Sequence, residues 1–185
     1  MNKIIWLLIF SVVCLKINSQ EIKQNDSNKI IEQELLRYSL LYEKGKVYLD
    51  FTLNDYLIDF IKKNETDSTK INYGLVRWLN DEQIYSIFNK KEVNYLIDCL
   101  NKNRNPKNFS LPENVHMYSE THSSTIDELE KRRIVLSSPA ITRDNNYALI
   151  SYAYGAENAM QGGVNVYVSN GTSWKFYKSI HLTIE

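Results

Sequence analysis

Two histidines and a glutamate recur at alternate positions in one short segment of the chain. The segment contains His116, Tyr118, Glu120 and His122. If it is extended, these side chains share one face, and two imidazoles with a carboxylate could bind zinc or another divalent ion. Polar residues on the solvent face of an edge strand explain the pattern equally well. We therefore expect no metal site and keep a small metal-assisted hydrolase using His116, Glu120 and His122 as the alternative function.

A second candidate surface depends on how the last hairpin of the chain is paired. Apolar and polar residues alternate from Trp174 to Ile184, as in a strand with one packed face and one solvated face. A three-residue loop over 169–171 keeps these faces separate, because it pairs Val166 with Trp174. It also places Gly171 at the left-handed position of the turn. We predict this register, in which Val164 pairs with Phe176.

In that register the solvent face of the sheet carries tyrosine, lysine and histidine. Tyrosine offers a large rigid contact with a polar tip, which suits recognition of a protein or a sugar. Two other readings explain the same face: a solvated surface with tyrosines chosen for strand propensity, or a surface covered by a helix. The predicted binding residues are Tyr167, Lys175, Tyr177 and His181.

Composition and absent motifs exclude several classes of function. The 185 residues carry 22 basic and 22 acidic side chains, so the formal net charge of zero gives no case for nucleic-acid binding. The sequence lacks the phosphate-binding loop, the dinucleotide-binding glycine motif, the zinc-protease helix motif and the serine-hydrolase elbow. We expect a protein that is not an enzyme, with no cofactor and no catalytic residue.

The first 19 residues have the layout of a secretory signal peptide. A basic start at Lys3 precedes an apolar run over 4–15, and the small Ser19 precedes the predicted mature start, Gln20. The run is shorter than the roughly 20 residues that a membrane-spanning helix needs. We therefore expect a periplasmic or extracellular protein without a transmembrane anchor after processing.

The remaining residues, 20–185, are predicted to form a single α+β domain. Residues 20–110 are mainly helical, and Asn80 with Gln83 and Asn89 with Glu92 have the spacing of helix capping boxes. Residues 47–53 fit either a strand or a helix. Residues 111–185 are predicted to form an antiparallel meander of about four strands on which the helices pack. The predicted strands are Ile134–Ile141, Tyr147–Tyr154, Val164–Val168 and Trp174–Ile184.

A series of short motifs in the C-terminal part resembles a known group of proteins. The motifs are Ser138-Pro139, Asp144, Tyr147-Ala148-Leu149-Ile150, Gly162-Gly163 and Trp174-Lys175. They are similar to those of a broad group of uncharacterised secreted bacterial proteins, frequent in Bacteroidota. Members commonly carry cysteines in the loop that corresponds to residues 155–163, and this chain has none there. The resemblance implies an extracytoplasmic location, but it assigns no activity and no catalytic residue to this chain.

Together these observations predict a non-enzymatic, exported binding module. Its ligand is left open by the sequence. A protein partner fits, as in an immunity-type inhibitor of a secreted toxin or an accessory of the cell envelope.

Overall fold

The structure is a computed structural model that describes residues 24–40, 46–67, 74–118, 132–156 and 159–182. The predicted signal peptide lies outside these ranges, as do Glu120 and His122 of the candidate metal site. Within them the architecture is α+β, with four helices and a mixed, mostly antiparallel sheet of seven strands.

Four helices are formed by segments whose apolar residues recur at helical spacing. Two of them begin at the predicted caps: the side chain of Asn80 accepts from the Gln83 amide, and that of Asn89 accepts from the Glu92 amide. At Asn80 the capping box is complete, because the Gln83 side chain also accepts from the Asn80 amide. The helices are α1 (24–39), α2 (Asn54–Lys63), α3 (Asp81–Phe88) and α4 (Lys90–Lys102).

The strands of the sheet are β1 (Val47–Asp50), β2 (Val115–Met117), β3 (Arg132–Leu136), β4 (Ala140–Ile141), β5 (Tyr147–Ala156), β6 (Ala159–Ser169) and β7 (Trp174–Leu182). Their order across the sheet is β2-β1-β3-β5-β6-β7, and β4 pairs with part of β5. β1 is parallel to both of its neighbours, whereas the strands from β3 to β7 pair antiparallel.

The predicted four-strand meander was therefore wrong as a description of the whole sheet. The ambiguous segment 47–53 contributes a strand, β1, from the N-terminal half of the chain. Its parallel partners β2 and β3 come from distant residues, and local alternation cannot show which distant strands pair.

Helices cover both faces of the sheet, so the structure has three layers. α1 packs on one face, where Ile31 and Leu35 contact a core that includes Leu49, Ile150 and Trp174. α2, α3 and α4 pack on the other face around Leu149, Val164, Val166 and Ile180. We call these the α1 face and the opposite face.

The last hairpin differs from the predicted register. Trp174 pairs with Ser169, and Val164 pairs with Ile180, around a loop of residues 170–173. The loop is one residue longer than predicted, and the Asn170 side chain accepts from the amides of Thr172 and Ser173. Gly171 does adopt the expected left-handed conformation, with a φ of 87°.

A β-bulge in β7 changes which residues share a face. Val166 pairs with Lys178 and Tyr167 with Phe176, so Tyr177 is the extra residue. Trp174 therefore packs on the α1 face, whereas Ile180 packs on the opposite face. A strand without the bulge would have placed both on one side.

Trp174 and Lys175 allow a test of this packing, because they are neighbours on β7 with opposite exposure. Trp174 is 4% exposed in the core beneath α1, whereas Lys175 is exposed. We expect Trp174→Ala to lower the free energy of unfolding by about 3–5 kcal/mol, the usual cost of truncating a buried aromatic side chain. Lys175→Ala should change it by no more than about 0.5 kcal/mol. Denaturant melts measure both values, and equal losses would contradict the face assignment.

Candidate functional site

Tyr167 of the predicted binding set lies under α1 and is 1% exposed. Its ring belongs to the core between α1 and the sheet, and its hydroxyl donates to Glu34 Oε1 at 2.6 Å. The prediction of an open sheet face at Tyr167 was therefore wrong, because a helix covers that face.

The other three predicted residues lie along the edge strand β7 but do not form one surface with Tyr167. Lys175 pairs with Val168 and points away from the α1 face, because it lies between Trp174 and Phe176 in an alternating strand. Tyr177 occupies the bulge and is exposed. His181 is exposed and its Nδ1 lies 3.2 Å from the hydroxyl of Tyr152.

A buried polar cluster connects α1 to the sheet at the position of Tyr167. Glu34 of α1 and Asn165 of β6 are both fully buried. Asn165 Nδ2 donates to Glu34 Oε1 at 2.8 Å and to the Tyr38 hydroxyl at 3.0 Å. Glu34 Oε1 therefore accepts two hydrogen bonds, from Asn165 and from Tyr167. We call Glu34, Tyr38, Asn165 and Tyr167 the Glu34 cluster.

Two oxygen atoms of the Glu34 cluster have no hydrogen-bond partner. They are Glu34 Oε2 and Asn165 Oδ1, both buried. A buried polar atom without a partner costs about 1–3 kcal/mol, so such atoms are rare in folded proteins and need an explanation.

Burial governs the ionisation of this cluster. It raises the pKa of Glu34 above the ordinary value of 4.5, against the opposing effects of the hydrogen bonds from Tyr167 and Asn165, the charge of Arg37 and the nearby Tyr38 hydroxyl. Burial, and next the proximity of Glu34, raises the pKa values of Tyr38 and Tyr167. Both tyrosines therefore stay protonated, and the Tyr167 hydroxyl remains the donor to Glu34.

Aromatic rings extend the cluster towards β7. Tyr38 stacks on Tyr152 and Tyr154, with ring centroids 5.2 and 4.9 Å away. The Tyr152 hydroxyl lies 2.7 Å from Ser179 Oγ and also contacts His181. His181 is thus connected to the Glu34 cluster through stacked tyrosines and not through an open sheet surface.

The described part of the candidate metal site is His116 on the edge strand β2. Its ring lies 6.4 Å from the ring of Tyr48, the residue paired with it on β1. His116 also lines a shallow pocket of about 340 Å³ with Lys46, Tyr48, Leu111, Val115 and Met117. Within the ranges that the structure describes, no three histidine, cysteine, aspartate or glutamate side chains come together to hold a metal ion.

An exposed group of apolar and basic side chains lies where α1 runs beside β7. Gln33 Nε2 donates to the carbonyl of Trp174 at 3.1 Å, and the Arg37 guanidinium lies over the Phe176 ring, 3.7 Å from its centroid. Leu36, which precedes Arg37 on α1, and Leu40, which directly follows the helix, are both exposed. We call Leu36, Arg37, Leu40 and Phe176 the α1–β7 surface.

Comparison of the chain with protein-family models, with curated proteins and with solved structures finds no match. Among the described residues, no helix is long and apolar enough to span a membrane.

Glu34 was not among the predicted site residues, although the residue pattern of α1 indicates that it is buried. The buried residues of α1 recur every three or four positions, at Ile30, Ile31, Glu34, Leu35, Tyr38 and Ser39. Glu34 is the charged residue in that apolar series. A charged side chain is almost never fully buried unless it is paired, so this position predicts a polar partner on the sheet.

The hydroxyl of Tyr167 provides a test of the Glu34 cluster. We expect Tyr167→Phe to lower the free energy of unfolding by about 1–2 kcal/mol, because it removes a buried hydrogen bond to Glu34 while keeping the ring. Tyr177→Phe is the matched control on the exposed bulge and should leave stability within about 0.5 kcal/mol of the wild type. Urea melts measure both free energies of unfolding. If Tyr167→Phe is as stable as the wild type, this hydrogen bond contributes nothing to docking of α1.

Proposed function

We propose that this protein is an exported, non-enzymatic protein-binding module and that its partner docks on the α1–β7 surface. The observation that carries the proposal is the exposed stack of Arg37 on Phe176 at 3.7 Å. Arginine and aromatic residues are enriched in protein–protein interfaces, where a few such residues supply most of the binding free energy.

The neighbours of this stack support a contact that is apolar at its centre. Leu36 and Leu40 are 57% and 64% exposed, and Phe176 is 40% exposed. Single exposed apolar residues are ordinary, but here Phe176 lies under the Arg37 guanidinium, and Leu36 and Leu40 lie one and three positions from Arg37 along the chain. Apolar side chains around an arginine match the anatomy of an interface core better than that of an ordinary solvated surface.

The charge of Arg37 indicates the chemistry of the partner. Among the described residues Arg37 makes no ion pair, and its guanidinium is held by stacking on Phe176 and, more distantly, on Tyr38. A stacked guanidinium keeps hydrogen-bond donors free at its edge, in a geometry that matches a carboxylate. We therefore expect a protein partner that places an acidic side chain beside an apolar patch.

Binding variants test this surface against a matched control elsewhere on the chain. The wild-type protein is used to capture partners from the exported fraction of the host, and each candidate is then purified and titrated by calorimetry. We expect Arg37→Ala to weaken the purified complex by about 30-fold, equivalent to about 2 kcal/mol. The control variant, Tyr85→Ala, truncates an aromatic residue of α3 on the opposite face that is exposed to a similar extent as Phe176. This variant should bind the partner like the wild type.

Two results would contradict the proposal of a binding surface at α1 and β7. One is that no captured protein binds when purified. The other is that Arg37→Ala and Tyr85→Ala bind a purified partner equally well, which would place the interface elsewhere.

The export part of the proposal rests on the sequence of residues 1–19 and has a separate test. We expect the mature protein to begin near Gln20, because a basic start, a short apolar run and a small residue at 19 direct cleavage there. Intact-mass measurement of the exported protein gives the start. Leu8→Arg interrupts the apolar run and should retain the uncleaved precursor in the cell. Finding Met1 on wild-type protein in a membrane fraction would overturn the assignment.

A further inference from the structure

We propose that Glu34 is a neutral carboxylic acid in the folded protein, with its proton on Oε2 and donated to Asn165 Oδ1, so that docking of α1 on the sheet takes up a proton. The inference is independent of the proposed binding surface, because it concerns the buried side of α1. It assigns a proton-binding site to the Glu34 cluster.

The groups that face Glu34 come from three elements. Arg37 and Tyr38 lie on α1 itself, Asn165 and Tyr167 on β6, and Tyr152 on β5. Arg37 is the cation among them, and its guanidinium is exposed and stacked over Phe176. His181 of β7 is further away, and Tyr152 lies between it and the cluster.

The hydrogen bonds at the two carboxyl oxygens of Glu34 fit a neutral acid better than a carboxylate. Glu34 Oε1 accepts from Asn165 Nδ2 and from the Tyr167 hydroxyl, as a carbonyl oxygen with two lone pairs can. Glu34 Oε2 receives no donor. In an ionised Glu34 this fully buried oxygen would carry part of a negative charge without any hydrogen bond, which is strongly unfavourable.

A proton on Glu34 Oε2 would give a hydrogen-bond partner to both unpartnered oxygens, Glu34 Oε2 and Asn165 Oδ1. The protonated oxygen becomes a donor, and Asn165 Oδ1 is the unpartnered acceptor on the residue already bonded to Glu34. Turning the Asn165 amide over would not help, because Nδ2 already donates to both Glu34 and Tyr38. Acid and amide then form a reciprocal pair, with one hydrogen bond in each direction.

The direction of the pKa shift agrees with this geometry, since burial raises the pKa of Glu34 from 4.5. A carboxyl group with a raised pKa binds a proton in the folded state at pH values where the unfolded chain has released it. Its contribution to stability is therefore complete below pH 4.5 and is lost as the pH rises towards the pKa of the folded state.

The test compares urea unfolding of the wild type and Glu34→Gln from pH 4.5 to about pH 8. Glutamine keeps an acceptor at Oε1 and supplies a permanent N–H donor in place of the protonated Oε2. We expect the unfolding constant of the wild type, relative to Glu34→Gln, to increase up to about tenfold per pH unit above pH 4.5. The increase stops at the pKa of the folded state.

The matched control is Glu32→Gln, which removes a carboxylate from the same helix, where it accepts from the Ser110 amide outside the cluster. It reports any effect of net charge alone. A ratio of wild type to Glu34→Gln that stays constant over the whole pH range would overturn the proposal, because Glu34 would then titrate alike in the folded and unfolded states.

A second measurement applies if Glu34→Gln does not fold. Carbon-13 NMR of the wild type follows the Glu34 side-chain carboxyl carbon, assigned through its backbone, as the pH is raised. We expect its titration midpoint to lie above 4.5, and a midpoint at or below 4.5 would show an ionised Glu34 and refute the proposal.

Discussion

Docking of α1 on the sheet is the interaction on which the rest of the structure depends. The sheet is covered by α2, α3 and α4 on one face, and without α1 the other face would expose Leu49, Ile150, Tyr167 and Trp174 to water. Burial of such side chains stabilises by about 1.5–3 kcal/mol each, so the contact with one helix makes a large contribution to folding. The same contact closes the face that would otherwise offer tyrosines to a ligand. A ligand therefore cannot reach these tyrosines beneath α1.

The bulge in β7 determines what the border of α1 and β7 presents. It shifts the alternation of the strand between Phe176 and Lys178, so Trp174 completes the core under α1 while Ile180 completes the core under the other helices. One edge strand thereby contributes to both cores. Phe176 lies at the outer limit of the α1 face, where Arg37 covers its ring. Edge strands with a bulge and exposed lysines are poor templates for pairing with another strand, which favours side-chain recognition at this border over strand addition.

Features that depend on neighbouring residues could be predicted from the sequence, and features that depend on distant pairing could not. The caps at Asn80 and Asn89 were predicted and confirmed, because each involves residues three positions apart. The parallel pairing of β1 and the bulge at Tyr177 leave no local pattern. The resemblance placed Gly163 in a loop, but it lies within β6, where a Cβ atom would clash with the carbonyl oxygen of Ile180. A glycine is needed at this position because β7 comes close to it, and the amino-acid composition alone does not reveal that contact.

Burying the carboxyl group of Glu34 costs free energy, although hydrophobic packing alone could hold α1 on the sheet. The hydrogen bonds of the Glu34 cluster give a reason for this burial. Apolar side chains at three- and four-residue spacing tolerate several positions of a helix on a sheet, because packing contacts are not directional. Glu34 must meet Asn165 and Tyr167, and these hydrogen bonds fail if α1 rotates or slides by one residue. A slip would leave three buried polar groups unsatisfied, at about 1–3 kcal/mol each. These directional hydrogen bonds therefore favour one position of α1 on the sheet, as a buried polar residue favours one register of a coiled coil. The exposure of Leu36 and Arg37 on the outer side of α1 follows from that position of the helix.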